Sequence, residues 1–228
     1  MLSRLFFPLD WLLSLLASVL RVGAGGPGVP TVIAATPPVL YEFESCPFCR
    51  ITREQVSAVG IVVHVKPCPK GGTRYRPDVM QSGGKSQYPY LIDANGSNGA
   101  DPKGLYESAD ISRYLSRKYG DSSRPRIHWL GPINQILSQF AALVRLLRGT
   151  FASPAIAPEK PLRFYAPERS VGGRLVKEML CSKELEYLWT SRAPDGQKTP
   201  RLEDPNTGRA VTGSFAILDY LRENFPPL

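Results

Sequence analysis

Four cysteines occur in the 228-residue chain, and two of them stand in the run Cys46-Pro47-Phe48-Cys49. Thiols one helical turn apart can exchange with a disulfide: one sulfur attacks as a thiolate, and the other resolves the mixed disulfide that forms. Val39-Leu-Tyr-Glu-Phe43 ahead of the pair reads as a strand, and Pro47 to Ala58 has helical spacing with proline in the first turn. Cys46 is therefore expected at a helix N-terminus, where unpaired backbone N–H groups and the helix dipole stabilise a thiolate. Arg50 and Arg53 on the following turns push the same way. This assigns Cys46 as nucleophile and Cys49 as resolving thiol.

Other chemistries compete for the same residues. Cys46, Cys49, His64 and Cys68 have a spacing compatible with a zinc site. Against it, the intervening residues already read as a helix and a strand of a larger core, so no metal is expected. Cys68, between two prolines, reads as either a spare thiol or a second redox partner, and Cys181 reads as core packing. The chain carries 28 basic and 20 acidic residues, for a formal charge of +8. Six of the basic residues (Arg50, Arg53, Lys66, Lys70, Arg74, Arg76) follow the cysteine pair, against one acid, Glu54. That cluster suits an anionic ligand or a solvated face; aromatics do not interleave with it, which disfavours nucleic acid.

The elements that position the pair come in an order that repeats. Tyr41, Glu44, Arg50 and Glu54 recur as Tyr165, Glu168, Arg174 and Glu178 at one offset (165 − 41 = 124). Pro89, Leu91, Asp93 and Asn95 recur as Pro200, Leu202, Asp204 and Asn206; Ser108, Ile111 and Tyr114 recur as Ser214, Ile217 and Tyr220. The flanking run Leu16–Arg21 also resembles Leu143–Arg148. The first unit reads β-α-β-α-β-β-α, its last two strands being a hairpin of Tyr88–Asp93 with Gly104–Tyr106, and Ser108 caps its last helix. The expected organisation is a helix and Pro/Gly linker over 1–36, a first unit over 37–120, a helical connector over 121–160 and a degenerate second unit over 161–228. Residues 5–20 are too short to span a bilayer and read as an amphipathic helix packed on the domain, with a signal peptide or membrane contact as the rival.

Tyr41-Glu-Phe-Glu-Ser-Cys-Pro-Phe-Cys-Arg50, Pro67-Cys-Pro-Lys-Gly-Gly72, Tyr88-Pro-Tyr-Leu-Ile-Asp93 and Tyr106-Glu-Ser-Ala-Asp-Ile111 resemble, in that order, the glutaredoxin and glutathione S-transferase N-terminal branch of the thioredoxin-like fold. More narrowly, the chain resembles tandem-domain members from plants, algae and cyanobacteria. The resemblance implies an α/β fold of two thioredoxin-like units, each a four-stranded mixed sheet flanked by helices, joined by the connector. It implies a cis Pro89, Tyr88 pairing its backbone with glutathione, Glu107 and Ser108 holding the γ-glutamyl end, and Cys46 attacking. Arg50 is a candidate for the ligand's carboxylates. The implied partners are glutathione, as co-substrate, and protein disulfides, and the implied compartment is a reducing one, chloroplast or cytoplasm. Ser170 and Gly173 stand where Cys46 and Cys49 stand, and Gly213 where Glu107 stands, so the second unit lacks the disulfide chemistry. Rival readings are a glutathione-binding scaffold without turnover, a glutathione transferase, and iron–sulfur ligation through Cys46 between two chains, which no residue pattern here favours.

Overall fold

The computed structural model describes residues 7–96, 104–121, 125–145 and 148–228. Helix α1 (Phe7–Leu20) precedes β1 (Val39–Glu42), α2 (Pro47–Val59), β2 (Val63–Pro67), α3 (Arg76–Gly83), β3 (Tyr90–Ile92) and α4 (Ser108–Tyr119). Helix α5 (Pro132–Val144) then leads to β4 (Leu162–Tyr165), α6 (Val171–Ser182), β5 (Tyr187–Thr190), β6 (Arg201–Asp204), β7 (Arg209–Thr212) and α7 (Ser214–Asn224). β-Branched and aromatic residues fill the strands, and alternation buries one side chain in two along β2.

Among the described residues the strands form one seven-stranded mixed sheet in the order β3-β1-β2-β5-β4-β6-β7, not two separate four-stranded sheets. The halves meet where β2 pairs antiparallel with β5: Val63 faces Trp189, His64 faces Leu188 and Val65 faces Tyr187. At the offset of 124, His64 lies opposite its own counterpart, so a local two-fold axis runs between His64 and Leu188. In the first half the expected hairpin reduces to a single bridge between Leu91 and Leu105. Its Gly104 lies against the Tyr90 ring, and Tyr106 stacks on that ring at 4.4 Å, so this segment is held by side-chain packing more than by a ladder. The turn expected over 94–103 falls mainly outside the described residues.

The recurring polar residues build matching turns. Asp93 accepts from the Asn95 backbone N–H (2.9 Å) and the Tyr114 hydroxyl (2.7 Å); Asp204 accepts from the Asn206 N–H (2.8 Å) and the Tyr220 hydroxyl (2.6 Å). The repeat also reaches into the expected connector. Ser14 on α1 donates to the Val171 carbonyl (3.0 Å), while Ser138 on α5 donates to the Pro47 carbonyl (2.7 Å). Arg21 pairs with Glu54 and bonds to the Asn134 carbonyl, while Arg145 pairs with Glu178 and bonds to the Asp10 carbonyl. Helix α5 is thus the second half's equivalent of α1, and the flanks align Arg21 with Arg145 rather than with Arg148. Both arms run antiparallel to each other over α2 and α6.

The Arg21–Glu54 and Arg145–Glu178 pairs are buried, where removing one partner strands a charge. Burial opposes the Glu54 charge, yet the bonds from Arg21 and from His128 (2.9 Å) outweigh it and hold its carboxyl at about 2. Glu178 has no such histidine, and there burial wins and raises the carboxyl. A depressed carboxylate stabilises the fold above its unfolded value of about 4.5 and loses that contribution as the pH falls through about 2. Thermal-unfolding midpoints are therefore expected to fall between those limits, with a shallower fall in Glu54→Gln. At pH 7 that variant should lose about 3–5 kcal/mol, whereas Asp110→Asn, facing solvent-exposed Arg113, should lose under about 1 kcal/mol.

Candidate active site

Strand β1 ends at Glu42, and a tight turn, closed by the Cys46 N–H on the Phe43 carbonyl (3.1 Å), brings Cys46 to the cap of α2. Proline at the first helical position has no N–H to leave unpaired there. The Cys46 sulfur accepts the Cys49 backbone N–H at 3.3 Å. Five influences set its acidity. The Cys49 S–H donates to it, which is the largest; burial opposes; the N–H groups of Cys49 and Phe48 and the Arg53 guanidinium add to the first. The Cys46 thiol is pulled below its ordinary value. Cys49 is pushed well up by burial, by its bond to Cys46 and by the charges of Cys46 and Glu42. The two sulfurs are thus shifted in opposite directions, Cys46 toward the thiolate and Cys49 toward the thiol.

The pair sits at the end of the sheet where β1 finishes and β3 begins. The Tyr88–Pro89 bond is cis, and the Tyr88 ring meets Phe43 edge-on at 5.9 Å. Glu107 caps α4 with φ +64°, in the left-handed region; its exposed carboxylate accepts from Gln87 (2.5 Å), and Ser108 is buried beside it. The structure therefore carries Tyr88, Pro89, Glu107 and Ser108 to the same edge of the fold as the cysteines.

Arg50 does not join them. It is 2% exposed, inside the helix layer, and burial followed by the neighbouring Arg53 charge lowers its guanidinium to about 10. It cannot reach a ligand's carboxylates at the surface. Arg53 is buried as well, whereas Lys66, Arg74 and Arg76 are half-buried and Lys70 is exposed. Arg53 pairs with Glu42, Glu44 and Glu168; Arg74 donates to the Glu184 and Ala155 carbonyls; Arg76 donates to the Cys68 and Pro69 carbonyls. Lys66 faces Asp78 at 3.5 Å.

The zinc arrangement is not assembled: His64 points at Glu186 (2.9 Å), and among the described residues no three His, Cys, Asp or Glu side chains group as a metal site. Cys68 is buried with Tyr41, Tyr75, Val79 and Tyr90, and burial pushes its thiol up to about 12, as in a packing residue. Cys181 is buried too; it accepts the Glu44 N–H and donates to the Gly149 carbonyl, each at 3.3 Å.

One neighbour had no signature in the sequence. The stretch from Gly149 to Ala152 runs beside the cysteine loop. Thr150 bonds Ser45 at 2.6 Å, Lys70 exchanges backbone bonds with Thr150 and Ala152, and a Cβ on Gly149 would come within 2.9 Å of Glu44. Cys46 itself is 5% exposed.

In the second half Ser170 caps α6 through the Gly173 N–H (3.0 Å) and the Thr199–Pro200 bond is cis. Gly172 lies so near Ser214 that a Cβ would fall 2.8 Å from its hydroxyl and 3.7 Å from Pro200. The corresponding position in the first half holds Phe48, 40% exposed.

Residues 40–123 match the family model described as glutathione S-transferase, N-terminal domain. Over those residues the chain is similar to that domain. No curated protein and no solved structure gives a match. The matched segment includes both cysteines, the cis proline and the α4 cap. No described helix is long and apolar enough to cross a membrane.

In native protein near neutral pH, one thiol, Cys46, should react with a small alkylating agent. Cys49, Cys68 and Cys181 should react only after denaturation, as peptide mass spectrometry would record. Cys49→Ala should raise the alkylation midpoint of Cys46 by removing the S–H donor; an unchanged midpoint would remove Cys49 from the account.

Proposed function

We propose that the protein is a glutaredoxin-type thiol–disulfide oxidoreductase acting on glutathione mixed disulfides and protein disulfides, with glutathione as the reductant. The observation that carries this reading is the split between the two sulfurs: Cys46 depressed on the helix cap, Cys49 raised behind it. The Cys46 thiolate attacks one sulfur of the substrate disulfide; a new S–S bond forms, the old one breaks, and the leaving thiolate takes a proton from solvent. Loss of the Cys46 charge removes two of the influences that hold Cys49 protonated, so Cys49 can then give up its proton and attack Cys46. That step releases the second substrate thiol and leaves a Cys46–Cys49 disulfide. Two glutathione molecules reduce it, becoming glutathione disulfide. For a glutathione mixed disulfide, one incoming glutathione can instead resolve Cys46 directly.

The remaining groups serve to hold the tripeptide. The backbone beside Pro89 pairs with its peptide, the N-terminus of α4 with Ser108 receives a carboxylate, and Glu107 faces an ammonium group. The left-handed backbone of Glu107 supports this use, because an ordinary side chain is held there at a cost and Gly213 takes the same place without one. The second half acts as scaffold, a degenerate copy of the first without a thiol at its helix cap.

Reduction of a glutathionylated peptide, coupled to glutathione and its reductase, tests the reading. Cys46→Ser should fall to the uncatalysed background. Cys49→Ala should keep turnover on the glutathionylated peptide and lose reduction of a protein disulfide. Full activity in Cys46→Ser would overturn the proposal, and conjugation of glutathione to an electrophile with no disulfide reduction would replace it with a transferase.

A further inference from the structure

The outer helices α1 and α5 are built inside out. Their small and polar residues face the protein: Ser14, Ala17 and Ser18 on α1, and Asn134, Ser138 and Ala141 on α5, are all buried. Their large apolar residues face away. Leu9, Leu12, Leu16 and Val19 are 44–64% exposed along α1. On α5, Ile133, Ile136, Phe140 and Leu143 are 49–57% exposed. Each of these is the counterpart of an α1 residue at the offset of 124, so the local two-fold axis of the sheet also relates the two stripes. Within each stripe the spacing is three, four, three, the seam by which helices pack in bundles.

The exposed apolar area is on the order of 700 Å², above the few hundred Å² usual on a monomer and close to what one partner contributes to a stable interface. The geometry points to a second copy of this chain as the occupant: the α1/α5 faces of two copies pack together as a four-helix layer. On α1 the exposed Trp11 and half-buried Leu15 widen the stripe, while the α5 stripe is narrow. Two observations favour a second copy over a lipid surface. Gln135 and Gln139 flank the α5 stripe and are exposed, so insertion into lipid would desolvate their amides, whereas a helix bundle leaves such positions at a wet rim. The cation at the end of the face, Arg148, is already paired with Asp10, so it offers no free charge to anionic headgroups. Two-fold association, the commonest closed symmetry, would bury both stripes from both chains at once.

Sedimentation equilibrium of the full chain from about 1 to 50 μM tests this, spanning the micromolar range where an interface of this size holds. The wild type should sediment as a dimer at the upper end. Leu16→Glu and Ile136→Glu, each at an exposed position, should be monomeric throughout, with unchanged circular dichroism and unchanged Cys46 alkylation. A monomeric wild type would overturn the inference, as would a dimer that survives both substitutions. Flotation of a monomeric wild type with vesicles of anionic phospholipid would overturn it in favour of a membrane surface.

Discussion

The structure depends on the pairing of β2 with β5. Each half alone would end in an exposed strand whose outer N–H and C=O groups lacked partners, an arrangement that invites uncontrolled association. Antiparallel pairing about His64 and Leu188 satisfies both edges at once and sets the two-fold relation between the halves. That relation brings α2 and α6 together with their charged faces inward. Arg53 meets Glu42, Glu44 and Glu168, while Lys177 meets Glu168. Buried charges tolerate little displacement, because a shift that separated them would leave each unpaired in a medium that solvates charge poorly. The ion pairs thus fix the register that the strand pairing permits, and the arms lock it through Arg21 and Arg145.

The same network reaches the chemistry. Arg53 crosses to Glu168 in the second half and also lowers the Cys46 thiol, so the half without cysteines contributes to the half that has them. The strap at Gly149–Ala152 belongs to the approach to the second half, yet it flanks the cysteine loop. The halves differ where a reactive site would differ from a scaffold: Cys46 against Ser170, Glu107 against Gly213, and exposed Phe48 against a Gly172 closed upon Ser214.

What could be read in the sequence was what local spacing determines. The strand-turn-helix setting of Cys46 follows from residues 39–58 alone, and the Asp93–Asn95 turn is built within three residues, which is why its copy at Asp204–Asn206 was recognisable. Contacts across the repeat were not legible. Arg50 and Arg53 read as a flank beside the cysteines because the Glu168 that draws Arg53 inward stands 115 residues away. The single sheet is not legible because strand patterns show that β2 and β5 exist, not that their edges meet. Matching the leucines of Leu16–Arg21 and Leu143–Arg148 sets the arms out of register. A signal was present, since Glu54 and Glu178 already recurred at 124 and a buried carboxylate calls for a cation; Arg21 and Arg145 stand at that same offset.

The fold pulls one thiol, Cys46, toward the thiolate. The ultraviolet absorbance of thiolate near 240 nm, followed against pH in wild type and Cys46→Ser, measures it directly. The account predicts a transition below the free-thiol value of about 8.5 that disappears in the variant. A transition at or above that value, or one that persists without Cys46, would contradict it.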